Sequence, residues 1–403
     1  MHVIGGTYFE SVEDRNFQML FGSGFRAAAC LSHFRDVRFH TYFEESEKLQ
    51  FLANAKAFPF KELDLKPSSI SRRFEYQTSV SSPRVNNLES DQDVAEIRIN
   101  SDEPILRFGM LEKEAIVCGN RVVYDPQNPQ HPLAFDANGS TAKELAIVAN
   151  HREVYSLFGS NYRVGINEQF KSHPETVCVV MKYGPLGALV FTQDGNQVHI
   201  PAYRTSDVFS VGTGDVFSAY FAHFWAEEGM SPKLSAEYAS KAVSIYVSEF
   251  GSIQNLDKKA IDARRFSPVG NGRPLTKPIY LAGPFFTMGD TLLLREIKHA
   301  FGSMDVPFFS PIDVVGIGAP GEVYEGDIRG LIDSSGVFAN ICGLDTGTIY
   351  EIGYAQAIKK PVTLFAQDCK KKDLTMLIGG GCKYYEDFTS AVYNSVWDAL
   401  ESE

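Results

Sequence analysis

The stretch SDVFSVGTGDVFSAYFAHFW, residues 206–225, decides the reading of the longer part of this 403-residue chain. A short apolar run ends in Gly212-Thr213-Gly214-Asp215. Phe217, Tyr220, Phe221 and Phe224 then recur at i, i+3, i+4 and i+7, the spacing of one helix face. Glycines let the backbone come close to a ligand, and the first N–H groups of the helix then point at an anion. Asp215 at that helix start would repel a resting phosphate. It suits a general base that takes a proton from an attacking hydroxyl while the N–H groups stabilise the phosphoryl group in transfer. A glycine turn with an aspartate cap accounts for the same four residues without any chemistry.

Composition frames both readings. Hydrophobic residues make up 44% and charged residues 22%, a soluble globular balance with room for two or three domains. A net charge of −12 disfavours polyanions unless a basic patch exists, and the best candidates, SRRF at 71–74 and CKKKD at 369–373, are short. Neither nucleic-acid binding nor a membrane partner is expected, since no apolar run approaches the ~18 residues of a span. The six cysteines form no CxxC pair, which reads as reduced, mostly buried thiols, and the start MHVIGGTYFESVEDR has no signal-peptide pattern. A cytoplasmic protein is the expectation.

The strongest break is RRFSPVGNGRPLTKP, residues 264–278, and it divides the chain into a domain at 1–265, a linker at 266–276 and a domain at 277–403. Before it, ETVCVVMKYG (175–184) and GALVFTQDG (187–195) read as adjoining strands, and AEYASKAVSIYVSEFG (236–251) as a helix ending at Gly251. After it, KPIYLAG (277–283), GVFANIC (336–342) and KPVTLFAQ (360–367) read as short buried strands with helices between them. The region 60–103 is polar and Ser-rich, an excursion from the sheet serving as a lid or an oligomer contact. Within it RRFEYQTSV (72–80) alternates like an edge strand. The pattern is that of two α/β domains.

The first domain resembles the ribokinase-like (PfkB) carbohydrate and nucleoside kinases over most of residues 1–255. VIGGTYFE (3–10) is similar to their first strand, FGSGFRAAACLS (21–32) to their sugar-facing di-glycine segment, and GTGD to their glycine-rich signature. VYDPQNP (123–129), AIVANHREVYSLFG (146–159) and VVMKYGPLGALVF (179–191) are similar to elements around the nucleotide. The resemblance implies Asp215 as catalytic base, Gly212, Thr213 and Gly214 as an anion hole, and Asn150 with Glu153 as metal and phosphate helpers. It also implies ATP and Mg²⁺ as cofactors, with no structural metal. There are departures: Glu10 stands where an Asp is usual, Arg26 where an Asn is usual, and Thr213 where Ala is more frequent. They leave room for a non-catalytic sensor of a sugar or nucleotide.

The second domain carries four features: PIYLAGPFF (278–286), a helix with Asp327 in YEGDIRGLIDSSGVFANI (324–341), DTGTIYEIGYAQAIKKPV (345–362) and a Gly-rich DLTMLIGGGCKYYEDF (373–388). Taken singly, Tyr280 is a core residue, Asp327 a helix-surface charge and Asp345 a cap. Together they resemble the nucleoside 2-deoxyribosyltransferases over about 120 residues, and also the related deoxynucleoside 5′-monophosphate N-glycosidases. That resemblance implies a small flavodoxin- or Rossmann-like fold behind the ribokinase-like one, both doubly wound. Breaking an N-glycosidic bond passes through an oxocarbenium-like state, which a carboxylate beneath the anomeric carbon stabilises or bonds to. By resemblance Glu351 is that nucleophile, held ionised by a place in the first helical turn. Asp327 and Asp345 face the base, Tyr280 orients Glu351 or the sugar, and Gly283, Pro284 and Gly347 border the nucleoside, with no cofactor. Transferases of this kind complete each site with a C-terminal segment from a neighbour, which 374–385 resembles, so a homo-oligomer is expected. The chain then reads as a bifunctional nucleoside or nucleotide enzyme with a sugar or nucleoside kinase domain. The alternative is a nucleotide-degrading effector controlled by a ribokinase-like sensor.

Overall fold

The computed structural model describes all residues except 89–92, 129, 271–272 and 368. The chain folds into two compact units. Unit 1 comprises 1–77, 83–203 and 210–266, and unit 2 comprises 78–82, 204–209 and 267–403. Part of the expected linker, Asn271 and Gly272, lies outside the described residues. Among the described residues no helix is long and apolar enough to cross a membrane.

Unit 1 is built on one large sheet. Its strands run in the spatial order Gln197–Ile200, Ala188–Thr192, Thr176–Lys182, Thr141–Asn150, Ile116–Asp125, Ile105–Phe108, His2–Ile4, Arg38–Glu44 and Glu62–Ser68, with Arg98–Ser101 added to Ile116–Asp125. All pairs are parallel except the hairpin that ends the sheet, 176–182 with 188–192 and 188–192 with 197–200. The two expected adjoining strands are therefore present as an antiparallel pair. Successive residues of a strand face opposite sides. In Ile116–Asp125, Val122, Val123 and Tyr124 are all buried, so both faces of the sheet are covered, as a doubly wound sheet requires. Val122 and Tyr124 belong to a core cluster with Val154 and Ile166, from the helices His151–Phe158 and Tyr162–Ser172.

The expected helix after GTGD is Thr213–Ala222, continued by a π-helical turn at His223–Glu227. The helix Pro232–Ser248 follows, and Gly251 then takes a positive φ and donates to Tyr246. The region 60–103 departs from its expectation. Glu62–Ser68 and Arg98–Ser101 belong to the main sheet, and only the middle forms a separate four-stranded sheet in the order Phe17–Leu20, Phe9–Val12, Arg73–Tyr76, Arg84–Val85. Arg73–Tyr76 is therefore an interior strand rather than an edge, because the backbone of Arg84–Val85 pairs with its second side.

Unit 2 has a five-stranded, wholly parallel sheet in the spatial order Phe308–Phe309, Ile279–Ala282, Gly336–Asn340, Val362–Phe365, Lys383–Tyr385. Numbered along the unit, this is 2-1-3-4-5, the flavodoxin-like order. The three strands expected from sequence are buried throughout, as near-continuous apolar runs in parallel sheets should be. The direction of winding reverses between Ile279–Ala282 and Gly336–Asn340, and a ligand crevice opens beyond the carboxyl ends of such strands. The backbones crowd there: a Cβ on Gly283 would lie 3.0 Å from the Cβ of Asn340.

The Gly-rich C-terminal segment packs into its own unit. Leu374 and Leu377 sit in the core of their own unit, and Lys383–Tyr385 closes the sheet. Alternating burial anchors the segment, while Met376 and Ile378 on the short helix Thr375–Gly379 stay exposed.

Candidate functional site

The winding reversal of unit 2 gathers three carboxylates. Tyr280 enters from the first strand with its ring stacked on Phe309, at 5.5 Å between centroids, and its hydroxyl donates to Glu351 Oε1 at 2.6 Å. Glu351 comes from the helix Thr346–Ala357, whose N-cap is Asp345: its Oδ2 accepts from the Thr348 backbone N–H at 2.8 Å and the Thr348 hydroxyl at 2.9 Å. Asp345 is thus a cap, and it lies close enough to Glu351 to act on its charge. Asp327 projects from the helix Pro320–Asp333 with Oδ1 buried and, among the described residues, without a hydrogen-bond partner.

One expectation is corrected. Glu351 is the sixth residue of its helix, not a member of the first turn, so the helix dipole does little for its charge. Burial pushes its carboxyl up to about 7; the Tyr280 hydrogen bond opposes the rise, and Asp327 and Asp345 add to it. Burial also pushes the Asp327 carboxyl up. Gly283 and Pro284 follow the first strand, as expected, and Gly347 lies beside Asp345, its Cβ position 3.1 Å from Oδ2. Gly353 meets nothing at its Cβ position within 4 Å, so nothing packed against it in the protein requires a glycine. A cavity of about 490 Å³ lies elsewhere in the unit, bordered by Lys359, Lys383 and Asp398 near the start of Val362–Phe365, and is not part of this carboxylate group.

Unit 1 arranges its carboxylate differently. Gly212 caps the helix Thr213–Ala222 at φ 79°, a left-handed conformation that favours glycine. A Cβ there would collide with Arg26 Nε, because the Arg26 guanidinium lies directly against this turn. Arg26 Nη1 donates to Asp215 Oδ2 at 2.6 Å and to Glu10 Oε1 at 3.3 Å, and Nη2 donates to Glu10 Oε2. Gln127 Nε2 donates to Asp215 Oδ1 at 3.2 Å. The three charged side chains are all buried. Burial raises the Asp215 carboxyl to about 6 although the Arg26 charge opposes this. Burial alone would lower the guanidinium's pKa, but Glu10, Tyr246 and Asp215 hold it well above its ordinary value.

Beside this group, Lys182 Nζ pairs with Asp125 and donates to the Ser218 hydroxyl at 3.3 Å, and Ser218 donates to Asp125 Oδ2 at 2.6 Å. Asp125 Oδ1 is buried without a partner among the described residues. A Cβ on Gly214 would approach Lys182 Nζ to 3.4 Å, which places an ammonium at the anion-hole turn. Thr213 is spent locally, its hydroxyl donating to the Ser210 carbonyl at 2.9 Å. Asn150 and Glu153 form a capping box: Glu153 N–H donates to Asn150 Oδ1 at 3.0 Å and Asn150 N–H to Glu153 Oε2 at 2.8 Å. Burial, then the charge of Asp125, pushes Glu153 up to about 8. Sequence reasoning reads VYDPQNP and VVMKYG as whole elements and misses Asp125, Gln127 and Lys182 within them. A lone Asp and Lys at two strand ends give no signal until the sheet sets those ends side by side.

The fold and the two groups define the class: a ribokinase-like unit followed by a nucleoside 2-deoxyribosyltransferase-like unit in one chain. Residues 118–259 match the family model of the pfkB family carbohydrate kinases, and residues 279–388 that of nucleoside 2-deoxyribosyltransferase. The chain is 25% identical over 170 residues to the 5-dehydro-2-deoxygluconokinase of Lacticaseibacillus casei, which covers 39% of this chain and 50% of that one. The chain therefore spans about half the length of the dehydro-deoxygluconokinases it matches. It is 28% identical over 140 residues to the uncharacterized protein UU063 of Ureaplasma parvum, covering 28% of this chain and 89% of that one. Among solved structures, Arabidopsis thaliana ribokinase complexed with ribose and ATP is 17% identical, with a TM-score of 0.44, over 65% of this chain and 97% of that one.

Proposed function

We propose that the chain is an enzyme of nucleoside or nucleotide metabolism whose second unit cleaves or exchanges the N-glycosidic bond of a (deoxy)nucleoside or its 5′-monophosphate, with Glu351 as nucleophile. The observation that carries this reading is the 2.6 Å Tyr280–Glu351 hydrogen bond at the winding reversal of the sheet. By holding Oε1, Tyr280 leaves Oε2 to attack the anomeric carbon. The attack forms a glycosyl ester as the carbon–nitrogen bond breaks. The departing base needs a proton, and Asp327, with its raised pKa and an Oδ1 that has no partner among the described residues, suits the donor role. Water or a second base then releases the sugar from Glu351. The test is mass spectrometry of products from a panel of nucleosides and their monophosphates, with and without a free acceptor base. No release of base from any of them overturns the reading.

For unit 1 the corresponding reading is phosphoryl transfer from ATP, with Mg²⁺, to a hydroxyl of a sugar or nucleoside. Lys182 and the first N–H groups of Thr213–Ala222 suit a polyphosphate. Among the described residues there is no cluster of three metal-ligating side chains, so Mg²⁺ would take Asp125 Oδ1 together with phosphate oxygens and water. ATP, when bound, supplies the phosphoryl group, and Asp215 would receive the proton of the attacking hydroxyl. The second reading, a ligand sensor, is favoured by one observation: both oxygens of Asp215 are already engaged, by Arg26 and Gln127. The second unit is also proposed to assemble as a homo-oligomer, in part through residues 374–385, where Met376 and Ile378 are exposed. Light scattering that finds a fully active monomer at micromolar concentration would contradict it.

A further inference from the structure

A general base in phosphoryl transfer needs a free lone pair facing the acceptor hydroxyl. Asp215 offers none. One oxygen receives Arg26 at 2.6 Å and the other Gln127 at 3.2 Å. Arg26 is itself forked onto Glu10, and its guanidinium carbon lies 5.2 Å from the centre of the Phe21 ring. The guanidinium also fills the space over Gly212, where even a Cβ would collide with it. The acceptor side of the turn is thus filled by the chain's own cation. The donor side is not: Gly214 and Lys182 Nζ face each other there, and among the described residues Asp125 Oδ1 has no hydrogen-bond partner.

We propose that Arg26 is a built-in occupant of the acceptor position, which clasps Glu10 and Asp215 and keeps unit 1 in a state that binds a nucleotide polyphosphate but does not transfer its terminal phosphoryl group. The geometry supports this in two ways. An arginine held by two carboxylates in a buried site is costly to displace, because its removal strands two like charges beside each other. Its planar fork also reproduces the paired hydrogen bonds that a sugar diol would make to Glu10 and Asp215. In the transfer reaction a bond forms between the acceptor oxygen and the γ-phosphorus, the bond from that phosphorus to the β-phosphate oxygen breaks, ADP departs, and the acceptor proton passes to Asp215. Arg26 blocks the first and last of these at once. Tyr76, from the strand Arg73–Tyr76, and Tyr246 are close enough to this charge cluster to feel it.

The inference rests on unit 1 being a nucleotide-binding unit, and the experiment keeps the two apart. Full-length protein is titrated calorimetrically with ATP and Mg²⁺. The same preparations are then assayed for transfer of label from γ-labelled ATP to D-ribose, 2-deoxy-D-ribose, inosine, deoxyadenosine and water. The wild type is expected to bind ATP and to transfer to none of these at a kinase-like ~1 s⁻¹. The double variant Arg26→Asn/Glu10→Asn removes one charge of each sign and frees Asp215, and is expected to transfer at least ~10-fold faster than wild type to one of them. Wild-type transfer at kinase rates overturns the proposal. So does a folded, ATP-binding double variant that transfers no faster than wild type. Absence of ATP binding by the wild type overturns the nucleotide-binding reading, and the proposal with it. If circular dichroism shows that the double variant does not fold, Arg26→Lys takes its place under the same criterion, since a compact ammonium lacks the planar fork with which the guanidinium spans Glu10 and Asp215.

Discussion

Glu351 and Asp215 look alike in the sequence, each a carboxylate a few residues beyond a Gly-Thr at the start of a helix, yet their surroundings are opposite. Glu351 has a tyrosine hydroxyl as its hydrogen-bond partner and two further carboxylates nearby, so it sits close to neutrality with one oxygen to spare. Asp215 has an arginine and a glutamine, and both of its oxygens are spoken for. A carboxylate is poised for chemistry when its partners leave room beside an oxygen for a reacting atom, and it is structural when they fill that room, as the Arg26 guanidinium does at the Gly212 turn. On that criterion the smaller unit is the better prepared for the chemistry proposed for it, although the glycine-rich signature of the larger one is the easier motif to see.

The most direct way to break this comparison is at Glu351. Glu351→Ala should lower release of free base by ~10³-fold or more, and Glu351→Gln nearly as much, since an amide keeps the shape but loses the charge. Chromatography of free base from a deoxynucleoside panel checks it, and wild-type rates in Glu351→Ala would end the mechanism. On the other side, Arg26→Ala should destabilise the protein by about 3–5 kcal/mol, because Glu10 and Asp215 lose their cation in a buried site. The measurement is the urea unfolding midpoint, and a change below about 1 kcal/mol would mean that the clasp is not formed.

Tyr280→Phe sharpens the picture of Glu351. The hydrogen bond lowers the carboxyl's pKa, so its loss raises it. A nucleophile must be ionised, so base release should climb with pH through about 7 in the wild type, and the climb should move to higher pH in Tyr280→Phe, with a loss of ~10-fold at neutral pH. Stability should show the matching sign. A carboxyl raised to about 7 in the folded state holds its proton longer than in the unfolded chain, so the wild type loses stability as pH rises from about 4.5 to 7. Glu351→Gln lacks that loss, and its advantage over wild type in melting temperature should grow across the same window; a constant difference would argue against the raised pKa. The smallest effect is expected at the cap: Asp345→Ala should cost about 1 kcal/mol of stability, readable in the urea midpoint, through the lost bonds to Thr348.

Much of the architecture is legible in the sequence because local physics wrote it. Apolar runs such as IYLA and VTLF suit buried parallel strands, the i, i+3, i+4, i+7 aromatics after Asp215 suit a helix face, and the glycine at 212 suits the left-handed cap of that helix. The same local rules, with the family resemblance, single out Glu351, Tyr280, Asp327 and Asp345 as a set, and the fold draws Tyr280, Asp327 and Asp345 close to Glu351. They also mark Arg26 and Glu10 as departures. They cannot say what those departures do, since residues 10, 26 and 215 meet only when three distant segments pack together. The motif places Glu351 one turn too early, because a helix start is fixed by its cap and not by the motif that surrounds it. Periodicity and turn chemistry, which act over a few residues, thus determined the elements and the candidate residues. The charge state, the partners and the free lone pairs of those residues depend on burial and on side chains up to 189 positions away, and only the tertiary structure decided them.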